Sequence, residues 1–139
     1  LGSQFPDYGD IITENIPKTG YTVIKQNRKE LSIMTVMNKE SFNKAVFEGN
    51  EPVLVEFWAP WCVYCRRISP ALEKVSQAYE GKLQVGKVNI DDEPLLAHQE
   101  KIEMIPTLVL YQNGEALGSI VAPDSKARIE EFILDTIGE

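Results

Sequence analysis

Hydrophobic residues are distributed unevenly along the chain, and this distribution predicts two regions. Residues 1–30 are largely polar, are interrupted by proline and glycine, and show no sustained period, which is typical of an N-terminal extension or linker. Over residues 31–139, apolar runs alternate with amphipathic segments of helical period. That alternation predicts one α/β domain in which helices pack on a central mixed sheet.

The boundaries of the elements follow from the period of the apolar positions and from turn and capping residues. Strands are predicted at 31–36, 53–58 and 83–90, and a hairpin at 106–111 and 116–121 around Asn113-Gly114. Helices are predicted from Asn38 or Ser41 to Val46, from Cys62 to Tyr79, from Pro94 to near Lys101, and from Ser125 to Ile137. Pro70 lies inside the second helix and is expected to kink it.

Composition excludes some classes of partner. The chain has 139 residues and a formal net charge of -7, so neither nucleic acid nor an anionic membrane is expected to attract it. No apolar run approaches the ~20 residues of a membrane span. The chain begins at Leu1, which indicates a mature or excised chain, so a membrane contact is expected only through a removed N-terminal anchor. We therefore leave two compartments open, cytoplasmic and, if a signal was removed, extracytoplasmic.

The two cysteines of the chain, Cys62 and Cys65, are separated by two residues directly after the apolar run at 53–58. At the start of a helix this spacing brings the sulfurs within bonding reach. The first sulfur then faces the positive end of the helix dipole, which lowers the pKa of its thiol and favours the nucleophilic thiolate. The motif therefore predicts reversible dithiol-disulfide chemistry.

Two other interpretations of the cysteine pair are weaker. Zinc requires four ligands, and His98, which we interpret as an exposed helix residue, is the only other soft donor in the chain. A static structural disulfide across so short a loop would constrain the unfolded chain little. We therefore expect no metal and no cofactor other than the redox-active disulfide.

Several separated motifs together resemble the thioredoxin family. The resemblance is carried by the order of the elements and by two motifs, Trp58-Ala59-Pro60-Trp61-Cys62 and Ile105-Pro106-Thr107. It runs from about residue 31 to the C-terminus. The resemblance implies a thioredoxin fold, exchange of disulfides with protein substrates, and regeneration by a thioredoxin reductase or a membrane thiol donor. We expect the protein to act as a monomer.

The resemblance also implies roles for individual residues. Cys62 would be the exposed nucleophile and Cys65 the resolving cysteine, a division that the helix dipole independently favours. Pro106 would be a cis-proline opposite the disulfide, and would turn the backbone of Ile105 toward an extended substrate. Trp61 and Ala122 would complete an apolar substrate surface with Ile105.

Glu56 is a carboxyl group inside an apolar strand. Such a group is costly unless it is neutral or paired, so burial is expected to raise its pKa. Thioredoxins usually have an aspartate here that accepts the proton of the resolving cysteine, often near a lysine that Lys87 would match. We therefore count Glu56 and Lys87 with the catalytic residues, against the simpler interpretation of a carboxylate at a strand end.

Two departures from the family pattern concern specificity and the direction of electron flow. Val63 and Tyr64 stand between the cysteines where reducing thioredoxins usually have Gly-Pro, and we count both as substrate-binding. Without the proline, the reduction potential of the cysteine pair is expected to lie somewhat above that of thioredoxin, which is about -270 mV. Ala122 stands where glycine is common, and its methyl group would narrow the approach of a partner backbone.

Three functions remain open on the sequence alone. The preferred one is a thiol-disulfide oxidoreductase that reduces protein disulfides. The second is an extracytoplasmic thiol oxidase or isomerase with the same chemistry in the opposite direction. The third is a non-catalytic binding module whose cysteines are incidental.

Overall fold

The computed structural model describes residues 34–138, so the predicted extension at residues 1–30 and half of the strand predicted at 31–36 lie outside the described residues. The elements in chain order are β1 Thr35–Val36, α1 Lys39–Asn43 with a π-helical continuation Lys44–Glu48, β2 Val53–Trp58, α2 Val63–Ala78, β3 Gln84–Asn89, α3 Pro94–Gln99, β4 Thr107–Gln112, β5 Glu115–Val121 and α4 Lys126–Ile137. The boundary between extension and domain stays a prediction.

The strands form one mixed sheet in the order β1-β3-β2-β4-β5. β3 pairs in parallel with both β1 and β2, whereas β2 with β4, and β4 with β5, are antiparallel. The predicted hairpin is therefore confirmed, and Asn113 (φ 55°) and Gly114 (φ 82°) provide the left-handed backbone of its turn. The parallel pairing brings the carboxyl ends of β2 and β3 to the same edge of the sheet.

Alternate residues of β2 face two separate apolar layers. Val55 and Phe57 pack in a cluster with residues of α1 and α3, whereas Leu54 packs with residues of α2 and α4. Because side chains alternate along a strand, Glu56 and Trp58 face the same layer as Leu54. Helices on both faces of a mixed sheet confirm the predicted α/β architecture.

The helix starts are set by local side-chain caps. Asn38, rather than Ser41, is the N-cap of α1, and the two residues form a capping box in which each side chain binds the other's backbone N–H, at 2.8 and 2.9 Å. Ser125 caps α4 by accepting a hydrogen bond from the Arg128 N–H at 3.1 Å. α2 runs as one helix through Pro70, and the predicted kink there stays a prediction.

The end of α3 agrees with the prediction. The helix ends at Gln99, close to Lys101, whose left-handed backbone geometry with φ 61° stops it. Among residues 34–138, no helix combines the length and the apolar character that a membrane crossing requires.

Candidate active site

The cysteine pair lies where the loop after β2 enters α2. Cys62 is the N-cap of this helix, and its sulfur accepts a hydrogen bond from the Cys65 N–H at 3.1 Å. The two residues form a disulfide with their Cα atoms 5.3 Å apart. The Cys62 sulfur thus sits at the positive end of a 16-residue helix, where a thiolate is stabilised, as the sequence predicts.

Both cysteines are largely covered in this disulfide state. Cys62 is 8% exposed and Cys65 is 3% exposed. Cys62 is thus the more accessible of the two, although in this disulfide it is buried rather than exposed as was expected of the nucleophile. The reason is packing, because Tyr64 and Ile105 contact the cluster that both cysteines form with Ala59.

Arg66 extends back over the turn that precedes Cys62. Its Nη1 donates a hydrogen bond of 2.7 Å to the Pro60 carbonyl, which ties the exposed side chain to that turn. Its positive charge is therefore held beside the turn that leads into α2. Arg67 is exposed, and no such tie is seen for it among the described residues.

The Ile105–Pro106 peptide bond is cis, as the family resemblance implies. The Pro106 carbonyl accepts a hydrogen bond of 2.8 Å from the N–H of Ala122, which follows β5. Ala122 has φ 47°, a left-handed geometry that is costly for a residue with a Cβ atom. The loop before β4 and the end of β5 are therefore joined beside the disulfide, with Ile105 packed against the cysteine cluster.

Glu56 is buried beneath the active-site helix. It is 1% exposed, and neither carboxyl oxygen has a hydrogen-bond partner among the described residues. Burial raises the pKa of Glu56 to about 7, against the opposing effect of the Lys87 charge, which lowers it. Lys87 stands opposite Glu56 on β3, and its ammonium lies 4.3 Å from the centre of the Trp58 ring. The carboxyl group can therefore exchange a proton near neutral pH.

Trp61 has a partner that the sequence did not reveal. Its indole N–H donates to the Asp91 carboxylate, at 3.1 and 3.3 Å from the two oxygens, while the side chain stays 65% exposed. Asp91 follows β3, and only the parallel pairing of β2 and β3 brings the two loops to one edge. Val63, on the first turn of α2, is 56% exposed.

Tyr64 links the cysteine motif to the loop after β5. Its hydroxyl donates a long hydrogen bond of 3.4 Å to the carbonyl of Pro123, the residue after Ala122. Ala122 is therefore held from both sides, by its own N–H on the Pro106 carbonyl and by the contact of Tyr64 with its neighbour. No sequence signal pointed to this contact.

The remaining donors do not assemble around the cysteines. His98 is exposed on α3, as predicted. Within residues 34–138, no group of three or more His, Cys, Asp and Glu side chains is placed to hold a metal ion.

The fold and the site together thus define a dithiol-disulfide protein. Its redox-active pair lies at a helix N-terminus and contacts Ile105, the residue before a cis-proline.

Comparison with known proteins agrees with this class. The family model Thioredoxin matches residues 33–135. Thioredoxin 1 of Nostoc sp. is 37% identical over 103 residues, which are 74% of this chain and 96% of the relative. Thioredoxin of Synechocystis sp. is 38% identical over 71% of this chain and 92% of the relative. Thioredoxin M-type, chloroplastic, of Spinacia oleracea is 32% identical over 96% of this chain and 75% of the relative.

The chain therefore belongs to the thioredoxin family. It is a dithiol-disulfide oxidoreductase that works through the pair Cys62 and Cys65.

Proposed function

We propose that this protein reduces disulfides of other proteins, with Cys62 as nucleophile and Cys65 as resolving cysteine. The Cys62 thiolate attacks one sulfur of the substrate disulfide, forms a mixed disulfide and releases the first substrate thiolate. The Cys65 thiolate then attacks the Cys62 sulfur, forms the intramolecular disulfide and releases the second substrate thiol. Two electrons pass to the substrate. The position of the Cys62 sulfur at the N-terminus of α2 is the observation that carries this assignment.

We propose that Glu56 accepts the proton that Cys65 must lose before it attacks. A carboxyl group with a pKa of about 7 is well matched to a base that works near neutral pH. In this proposal Lys87 is a positioning residue, because its charge opposes the effect of burial and keeps a fraction of Glu56 ionised. Support comes from the alternation of β2, which turns Glu56 toward the layer beneath α2.

We further propose that six residues around the disulfide contact the substrate. They come from three separate segments, which the contacts from Ala122 to Pro106 and from Tyr64 to Pro123 hold together. The exposed members offer apolar surface, and the Ile105 backbone beside a cis-proline can pair with an extended chain. These residues are Trp61, Val63, Tyr64, Ile105, Pro106 and Ala122.

The partners follow from this chemistry. The substrates are protein disulfides, and a thioredoxin reductase or a membrane thiol donor returns the cysteines to the dithiol. The net charge of -7 does not favour nucleic acid as a partner. We expect a monomer, located in the cytoplasm or, if an N-terminal signal or anchor was removed, outside it.

The test is the equilibrium reduction potential of the Cys62–Cys65 pair. The protein is poised in thiol-disulfide buffers, and the free thiols are counted from the mass shift after alkylation. We expect a value between about -270 and about -200 mV, which suits a protein-disulfide reductase. A value above about -200 mV would contradict the proposed direction.

One observation favours a second candidate with the opposite electron flow. Val63 and Tyr64 replace the Gly-Pro of reducing thioredoxins, and a potential above about -200 mV would assign the protein to thiol oxidation or isomerisation in an oxidising compartment. The same measurement therefore separates the two candidates.

A further inference from the structure

The outermost strand of the described sheet carries apolar surface that the described helices leave open. Leu117 and Val121 on β5 are 41% and 47% exposed. On the adjacent β4, by contrast, Val109 and Tyr111 are buried in the layer that contains Phe42 of α1. The helical cover on this face of the sheet therefore stops at β4.

A groove of about 420 Å³ lies over this open part of the sheet. One side is the strand β5, and the other is the segment 100–104, which follows the short helix α3. Met104 on this segment is 63% exposed, and Leu117 and Val121 offer apolar side chains from the strand. We call this feature the β5 groove and define it by Met104, Leu117, Ser119 and Val121.

The β5 groove begins at the active site. Met104 directly precedes Ile105, and Val121 directly precedes Ala122, whose N–H binds the Pro106 carbonyl at 2.8 Å. From there to Leu117 the strand advances by four residues, about 14 Å at the usual rise. The groove therefore has room for about four residues of an extended chain.

We propose that the β5 groove binds the extended segment next to the reacting cysteine of a protein-disulfide substrate. This inference rests on the proposed function, in which that cysteine reaches Cys62. A substrate held there brings its flanking residues to the mouth of the groove without any second binding event. The open apolar side chains fit a segment with apolar residues at alternating positions, because these point to one side of an extended chain.

The experiment compares three synthetic peptides whose single cysteine is disulfide-bonded to 5-thio-2-nitrobenzoate. The core peptide has two residues on each side of the cysteine. The other two carry four additional residues, alternately leucine and serine, on the N-terminal or on the C-terminal side. The rate of release of the aromatic thiol is measured in single turnover with the pre-reduced protein.

We expect one of the two lengthened peptides to react about fivefold faster than the core peptide, because it buries apolar surface in the groove. The gain should disappear in Leu117→Ser. It should persist in the matched control Leu134→Ser, which removes a side chain of similar exposure (48%) from α4. Val121→Thr, which preserves shape and β-branching, should lose part of the gain. Its rate also tests the groove if Leu117→Ser fails to fold.

Three results would overturn the proposal. One is the lack of any gain from length in the wild-type protein, and another is a gain that survives in both groove variants. The third is a faster reaction of all peptides with Leu117→Ser, accompanied by dissociation of a dimer in light scattering, because the groove would then bind a second copy of the chain. The symmetric disulfide of 5-thio-2-nitrobenzoate, which carries no peptide, is too small to reach the groove and should react equally with every variant. If neither it nor the core peptide reacts, the proposed function fails, whereas normal reaction without a gain from length rejects only the groove.

Discussion

Strands β2 and β5 belong to the same sheet but have opposite environments. Five of the six residues of β2 are buried, including the carboxyl group of Glu56, whereas most of β5 is exposed. A central strand is covered by helices on both faces, and an edge strand beyond the helical cover is not. The two strands therefore suit different roles. Burial raises the pKa of Glu56 on β2, whereas exposure leaves the side chains of β5 available for contact with a partner.

The largest effect is expected from the cysteines, which β2 leads into. Cys62→Ser should lower the rate of disulfide reduction on the order of a thousandfold or more, as the loss of a nucleophile does elsewhere. Serine is also a good N-cap, so α2 should remain folded. Cys65→Ser should instead accumulate a mixed disulfide with the substrate, visible as an added mass that a reducing agent removes.

The cysteine variants also test whether the site that follows β2 carries the function, and which cysteine is the nucleophile. If Cys62→Ser and Cys65→Ser both preserve partner binding and function in the cell, the cysteines are incidental and the chain acts as a binding module. A trapped mixed disulfide on Cys65 in the Cys62→Ser variant would reverse the assigned roles.

The next largest effect concerns Glu56. Its pKa of about 7 in the folded protein lies above its ordinary value of 4.5, so the folded state binds a proton more tightly than the unfolded state does between these pH values. The free energy of unfolding therefore falls through this group as the pH rises from about 4.5 to about 7. Glu56→Gln removes the buried charge and should raise the free energy of unfolding by on the order of 3 kcal/mol at pH 8, and by little at pH 4.5.

Glu56→Gln should also slow the attack of Cys65 on the mixed disulfide, and with it the release of the reduced substrate, by about a hundredfold at neutral pH. This follows if the carboxylate accepts the Cys65 proton. Urea unfolding at the two pH values and single-turnover kinetics measure the two effects. Glu80→Gln makes the same change at an exposed position and should alter neither. A variant as fast as the wild type would exclude Glu56 as the base, even if the gain in stability is found.

The smallest effect should appear where the end of β5 meets the cysteine motif. Tyr64→Phe removes the hydroxyl that donates to the Pro123 carbonyl and should raise KM for protein disulfides about threefold, with little change in kcat. The potential of the cysteine pair should stay the same. Tyr79→Phe removes the same atom at the other end of α2 and is the matched control. A change in kcat alone would show that Tyr64 acts on the chemistry rather than on substrate binding.

Much of the fold could be predicted from the chain, because its signals are local. The apolar run 53–58 is a strand covered on both faces, and Asn113-Gly114 forms the hairpin turn that its φ values favour. The last helical residue of α3, Gln99, could be placed only as near Lys101, because the helix ends at the left-handed backbone of Lys101, a residue type that rarely adopts this geometry. Helix ends set by one unusual φ value have no clear signature in a single sequence.

By itself, the sequence determined the cysteine spacing, the helix start that makes a thiol acidic, and the position of a carboxyl group in an apolar strand. These features depend on residues close together in the chain, so period and spacing are sufficient to identify them. Only the tertiary structure decided that Asp91 binds Trp61, that Tyr64 reaches Pro123, and that β5 is left open beyond the helices. These contacts join residues 30 or more positions apart, and which distant segments meet depends on the order of strands in the sheet and on how far each helix extends over it.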